Sequence, residues 1–249
     1  MMKSIPFILL LLVLTSCGGG GGGSTSSTRL RIINVYKFAT EAVNLIQRST
    51  DGTEVETPFV SSVAVGSHTS YRTVSNDSFF SGNTFSGLIR AIFGNLSTTV
   101  SFSEPRDFSY SLILFENSCI TFDRITFQCI PGLSGFVTQD LQSSANPANA
   151  SLRVTFAGVH FSNVDPIGIS ISSSSNPDVI ETELSSISSE QHVSGYLDFT
   201  PGTYTVKFSK PIFERTPREV SVDVELSAGG VTEVIIYDNP EGQLEVKVI

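Results

Sequence analysis

Val220-Ser221-Val222-Asp223-Val224-Glu225-Leu226 alternates apolar and polar residues without a break. In an extended strand every second side chain lies on the same side, so one face enters a core and the other meets water. The same pattern runs through Leu244–Val248, Tyr204–Phe208, Thr99–Ser103 and Ile120–Asp123. Turn signals separate these runs: Asp51-Gly52, Ser81-Gly82-Asn83, Gly94-Asn95, Pro201-Gly202, Ala228-Gly229-Gly230 and Asn239-Pro240-Glu241-Gly242. Spacing of this kind belongs to β-sandwiches and not to folds that alternate strands with long helices. Only Asn83–Phe93 and Val179–Ser189 have a composition open to a short helix. The pattern predicts an all-β protein.

Composition agrees. The 249 residues are 40% hydrophobic with 18 Phe, 6 Tyr and no Trp, and the mean hydropathy is +0.14. Charged residues make up 16%, against roughly 25% in an average soluble domain; Ser and Thr supply the polarity instead. With 24 acidic and 15 basic residues the net charge is −9. Sequence-independent nucleic-acid binding needs clustered Lys and Arg, so nucleic acid is not an expected partner.

The chain opens with an address. Met1-Met2-Lys3 is a short positive region, and Ile5–Leu14 is apolar apart from Pro6. That run is too short for a bilayer span of about 20 residues and reads as a secretory signal. It ends in Leu14-Thr15-Ser16-Cys17, which resembles the bacterial lipobox. Small residues at 15 and 16 admit the extended chain to the lipoprotein signal peptidase, and the Cys17 thiol carries the diacylglyceryl thioether. Residues 1–16 are therefore expected to be cleaved. Gly18–Gly23 and Ser24–Thr28 then form a tether over 17–28 that spans on average roughly 20 Å. A phosphate-cradling loop would need a strand before the glycines and a Lys-Ser/Thr helix start after them, and neither is there. Gly18 stands where Asp would resemble an inner-membrane retention signal, which points to the outer membrane. Loss of Lys3 leaves 14 positive and 24 negative groups, a mature charge of −10. Acyl chains, at about 0.8 kcal/mol per buried CH₂, must hold such a body to the bilayer.

Past the tether the chain resembles itself. Arg29-Leu30-Arg31-Ile32-Ile33 opens one half and Ser151-Leu152-Arg153-Val154-Thr155 the other. Leu112-Ile113-Leu114-Phe115-Glu116-Asn117 matches Val234-Ile235-Ile236-Tyr237-Asp238-Asn239 in class at every position. One shift of 122 positions relates both pairs, and it also lays Thr99–Ser103 on Ser221–Glu225. Pro131-Gly132-Leu133-Ser134-Gly135 and Ser143–Ala150 read as a connecting segment. The predicted organisation is a first β-sandwich at 29–130, a linker at 131–150 and a second sandwich at 151–249.

Each half resembles the bacterial domain-of-unknown-function 4397 family, which occurs in tandem on secreted or lipid-anchored proteins. The second half carries Leu152-Arg153-Val154, Asn163-Val164-Asp165, the segment Tyr196-Leu-Asp-Phe-Thr-Pro201-Gly202-Thr-Tyr204-Thr-Val206, and Leu226-Ser-Ala228-Gly229-Gly230-Val-Thr232. The first half keeps Arg31-Ile32-Ile33 and Leu112–Phe115 but lacks the Pro-Gly and Gly-Gly turns. Neither half has the family's His-Ala-Ser-Pro-Asp-Ala-Pro loop. The resemblance implies tandem immunoglobulin-like antiparallel sandwiches and no established activity.

Three cysteines in an exported chain leave one over. Lipidation of Cys17 resolves the count and leaves Cys119 and Cys129 around a hairpin. A three-residue loop at Asp123–Ile125 sets Cys119 opposite Cys129, with Cα atoms about 4.5–5.5 Å apart and within disulfide range. Such a bond closes a loop worth about 3 kcal/mol in the chain-entropy model. A turn at Asn117–Thr121, mirroring Asn239–Gln243, parts the two residues instead.

Catalytic patterns are scarce. The chain has no Gly-x-Ser-x-Gly elbow, Ser-x-x-Lys, His-Glu-x-x-His or Cys-x-x-Cys. His68, His160 and His192 are scattered, and the acidic runs Asp51–Glu56 and Asp238–Gly242 lack calcium-loop spacing. No catalytic residue, metal ligand or cofactor is expected. The aromatic segments Tyr36-Lys37-Phe38 and Phe79–Phe85 fall where loops are predicted and are the candidates for sugar or protein contact. The reading that follows is a non-catalytic, lipid-anchored envelope protein with a structural or protein-interaction role. Its partners are the membrane, through the anchor, and an envelope protein or glycan. The competing reading is a glycan- or peptide-binding module at the cell surface or in the periplasm.

Overall fold

A computed structural model describes residues 28–48, 52–123, 128–157, 167–176, 180–187, 193–212, 215–238 and 244–249. Apart from one 3₁₀ turn at Asp77–Phe79, every regular element described is a strand. The first half holds β1 (Arg29–Asn34), β2 (Ala42–Arg48), β3 (Glu54–Val60), β4 (Ser67–His68), β5 (Arg72–Thr73), β6 (Phe80–Ser81), β7 (Thr84–Phe93), β8 (Leu96–Pro105), β9 (Ser109–Asp123) and β10 (Gln128–Asp140). The second holds β11 (Ala150–Ala157), β12 (Ile167–Ser173), β13 (Ile180–Ile187), β14 (Leu197–Phe199), β15 (Gly202–Ile212), β16 (Arg215–Leu226), β17 (Val231–Asp238) and β18 (Leu244–Val248). Both segments open to a helical reading are strands, β7 and β13. Phe85, Ile89, Ala91 and Phe93 of β7 are buried on one face, with Gly87 between the first two, so tertiary packing overrode a weak local preference. Gly52, Gly82, Gly94 and Gly229 in the anticipated turns all take positive φ, which a side chain disfavours.

The strands form four sheets, two to each half. In the first half β10-β9-β1-β4, with β5 also on β1, faces β3-β2-β7-β6, with β8 also on β7. Between them lies a core that includes Leu30, Ile32, Phe85, Ile89, Leu112 and Leu114. In the second half β14-β11-β17-β18 faces β13-β12-β15-β16 around Leu152, Val154, Phe156, Val206, Phe208 and Val234. The sequence repeat is a structural one. Ile32 pairs with Leu112 in β1–β9, and Val154 with Val234 in β11–β17, so the same shift of 122 carries one register onto the other.

Those two pairs correct the expectation of purely antiparallel sheets, because both run parallel. Parallel neighbours need a long crossover, and here the remaining strands of each half supply it. The expected linker at 131–150 is corrected as well. Residues 131–140 belong to β10, which pairs with β9 from Gly132↔Asn117 to Asp140↔Ser109. The glycine-rich composition has a packing cause: a Cβ on Gly135 would stand 3.0 Å from the Ile113 carbonyl oxygen and 3.1 Å from Val100. The hairpin register also differs from the three-residue-loop reading. Cys129 stands opposite Phe122, and Gln128 opposite Asp123, so Cys119 is three positions along the strand from the partner of Cys129. In that register Cys119 and Cys129 are not direct partners.

One further expectation fails in a way that defines the molecule. Alternation was to leave one face of each strand in water, yet β11 is buried at all eight positions. In β1, β9 and β17 the outward residues Ile33, Ile113 and Ile235 are as buried as the inward ones. The β1–β9 and β11–β17 sheets pack on each other through a third cluster of Ile33, Val35, Ile113, Phe115, Ala157, Ile235 and Tyr237.

Candidate functional site

Beside that apolar seam lies the densest group of charges among the described residues. Arg31 on β1 and Arg153 on β11 occupy equivalent repeat positions, on the side of each strand away from the inward Leu30, Ile32, Leu152 and Val154. Asp140 ends β10 and Glu233 lies on β17. The Arg153 Nη2 donates to Asp140 Oδ1 at 2.5 Å and sits 2.8 Å from Glu233 Oε1. The Arg31 Nη2 donates to Glu233 Oε2 at 2.9 Å, and its Nε lies 3.6 Å from Asp140 Oδ2. Each guanidinium thus bridges both carboxylates, and the four charges alternate in sign around a ring.

The ring is nearly dry: side-chain exposure is 12% for Arg31, 2% for Arg153, 1% for Asp140 and 3% for Glu233. Burial of this kind requires that lone pairs and protons be taken up. Asp140 Oδ2 accepts from Tyr71 Oη at 2.7 Å and Ser111 Oγ at 2.6 Å. Glu233 Oε1 accepts from Thr155 Oγ1 at 2.7 Å. Arg31 Nε donates to Ser111 Oγ, and Arg153 Nη1 to the Gln139 carbonyl at 2.6 Å. Two tyrosine rings complete the shell, Tyr71 4.9 Å from the Arg31 guanidinium and Tyr196 4.8 Å from that of Arg153, both within cation–π range. Burial opposes the Arg153 charge, but Glu233 and Asp140 outweigh it and hold the guanidinium protonated well beyond its ordinary range. Burial and the adjacent Asp140 push the Tyr71 hydroxyl up, so it stays a donor.

A cleft of about 200 Å³ opens beside the ring, lined in part by Arg31, Tyr71, Gln142, Tyr196 and Glu233. The carboxylates already accept hydrogen bonds from several sides. The chemistry of the ring is that of a joint. Ile33, Ile113 and Ile235 bring about 1.5–3 kcal/mol each on full burial, whereas a buried ionic group roughly breaks even against an apolar substitute. The apolar seam therefore drives the contact, and the ring sets which residues meet.

The residues singled out in the sequence fare variously. Residues 1–27, which include the signal, Cys17 and all of the tether but Thr28, and also His160, His192, Asp51 and 239–243 lie outside the described residues. His68 on β4 is exposed, and partial burial with the nearby Arg31 and Lys247 charges holds it below the ordinary imidazole range. Glu54 and Glu56 pair with Arg48 and Arg90. Among the described residues no His, Cys, Asp and Glu side chains gather as a metal site. Tyr36, Phe79 and Phe85, expected in loops as contact residues, are core side chains at 0–1% exposure; of that set Phe38 alone stands out at 53%. Tyr196 and Arg153, both in segments that carry the family resemblance, do meet. Asp140, Glu233 and Tyr71 were missed. The available signal was an arginine recurring at the same repeat position between two apolar residues, Leu30 and Ile32 in one half and Leu152 and Val154 in the other.

No protein-family model and no curated protein matches the chain. Among solved structures it is similar to a leucine-rich repeat protein from Bacteroides thetaiotaomicron, at 11% identity and a TM-score of 0.25, over 87% of this chain. The chain spans only 26% of that protein's length, and no property is carried over at that level of likeness.

Proposed function

We propose that the protein is a non-catalytic lipoprotein of a bacterial cell envelope, most of its chain forming a double sandwich that a Gly/Ser/Thr-rich segment connects to its lipidated cysteine. The observation that carries the reading is Leu14-Thr15-Ser16-Cys17 at the end of a short apolar signal, followed at once by Gly18–Gly23. Resemblance to the domain-of-unknown-function 4397 family, in Arg31-Ile32-Ile33 and in Tyr196–Val206, agrees with it. The outer membrane is its location, on the strength of Gly18. A structural or protein-interaction role is supported by the Arg31, Arg153, Asp140 and Glu233 charges, which among the described residues pair with one another across the two halves. The glycan- or peptide-binding alternative loses the rings Phe79 and Phe85 to the core. Membrane fractionation of cells producing the wild type and Cys17→Ser tests the reading. The wild type sediments with envelopes and carries diacylglyceryl mass on its first residue, whereas Cys17→Ser is released. Equal sedimentation of both refutes it.

A further inference from the structure

The place where the tether joins the fold is fixed. Thr28 is fully buried; its carbonyl accepts from the Val74 amide at 3.0 Å and its hydroxyl from the Asp107 amide at 2.7 Å. The next amide, Arg29, donates to the Phe108 carbonyl at 3.0 Å. The chain thus leaves the body beside Phe108, at the start of β1. An open groove of about 620 Å³ lies there, lined in part by Arg29, Asp107, Phe108, Leu141 and Gln142, with the exposed Asp107 carboxylate 3.3 Å from Arg106 Nε. Phe108 and Leu141 are 46% and 36% exposed. Two cations accompany them on neutral partners: Arg29 donates to Gln142 Oε1 at 2.7 Å and Arg72 to the Phe59 carbonyl at 2.9 Å. Arg72 stands across from Leu30, next to Arg29.

We propose that this tether-proximal end, with Phe108, Leu141, Arg29 and Arg72, seats on the lipid surface of the bilayer that holds Cys17. The proposal rests on the lipoprotein reading above and adds which face meets the lipid. The length of chain from Cys17 to Thr28 is the first argument: twelve residues reach at most about 40 Å and on average roughly 20 Å. The end that receives them is therefore the end held near the headgroups. Charge is the second. A body of net −10 is repelled by an anionic leaflet, and an end carrying arginines beside exposed apolar side chains is the part such a surface attracts. Aromatic and aliphatic groups flanked by arginine suit the boundary between headgroups and acyl chains.

The opposite end gives an internal control. Leu96 is 50% exposed at the far turn of the first sandwich, separated from Pro105 by the length of β8, about 30 Å at strand rise. The chain contains no Trp, so Phe108→Trp and Leu96→Trp are single reporters without background. Each lipidated full-length protein is reconstituted into phosphatidylethanolamine–phosphatidylglycerol vesicles with and without brominated acyl chains, and flotation establishes that it is bound. Phe108→Trp loses most of its emission to the brominated lipid and Leu96→Trp keeps its own. Should Phe108→Trp fold poorly, Leu141→Trp takes its place with the same expectation. Floating protein in which neither end is quenched, or both are quenched alike, overturns the proposal and leaves the anchor intact. Protein that does not float overturns the anchor and the proposal together.

Discussion

Replacing Arg153 by Met keeps most of the side-chain volume and removes one of the two cations in the ring. Asp140 and Glu233 would then face Arg31 alone, leaving one buried negative charge uncompensated between carboxylates that are 1% and 3% exposed. Removing one partner of a buried pair costs about 3–5 kcal/mol, most of it the charge left behind. For a body of this size each kcal/mol moves Tm by about 2–4 °C, so the expected loss is about 6–20 °C. Arg48→Ala is the matched control. Its side chain is 61% exposed where it meets Glu54, and such surface pairs contribute about 1 kcal/mol or less. Calorimetry and urea unfolding of both variants in a Cys17→Ser background measure the difference. Arg153→Lys separates charge from geometry, since one ammonium cannot reproduce the forked contacts to Asp140, Glu233 and the Gln139 carbonyl, and it should fall between wild type and Arg153→Met. Replacing all four ring residues by apolar groups of similar volume should restore stability, because no charge is then stranded. The reasoning is refuted if Arg153→Met lowers Tm no more than Arg48→Ala does.

Other outcomes follow from the packing and the register. Gly135→Val should destabilise the first sandwich by about 1–3 kcal/mol through overpacking, against Ile113 and Val100; urea unfolding with an unchanged midpoint would contradict the close approach of β10 to β8. With Cys129 opposite Phe122 in the β9–β10 register, a mass spectrum of the unreduced, alkylated protein tests the Cys119–Cys129 disulfide expected from the sequence: neither thiol modified establishes it and both modified ends it. Burial first, then Glu104 for Tyr110 and a hydrogen bond to Glu245 for Tyr237, push these two hydroxyls up to about 12 from 10.0. The unfolded chain releases these protons above pH 10 while the native state retains them, so their contribution is complete below pH 10 and is lost as pH rises through 12. Tyrosinate absorbance followed with circular dichroism should show late ionisation coupled to unfolding; all six tyrosines titrating near pH 10 in an intact fold would count against it.

What the sequence determined by itself was local. Alternation along Val220–Leu226 sets the extended backbone and decides which side chains share a face, because a side-chain period of two admits nothing else. Gly52, Gly82, Gly94 and Gly229 mark turns because positive φ is easy only without a Cβ. The repeat at a shift of 122 was legible since equivalent strands bury equivalent residues, and the lipobox-like Leu14–Cys17 and the run Gly18–Gly23 are local patterns that need no fold to be read. The tertiary structure decided what covers the outward faces. A polar residue at an outward position looks the same whether water or a second sheet lies beyond it, so Arg31 and Arg153 carried no mark of burial. Their partners also come from distant strands: Glu233 is 202 positions from Arg31, and Asp140 lay in a stretch whose glycines imitate a linker while serving close packing. Local patterns report the preferences of neighbouring residues, whereas charge pairing and sheet stacking depend on which distant surfaces meet. Only the folded chain brings those surfaces together.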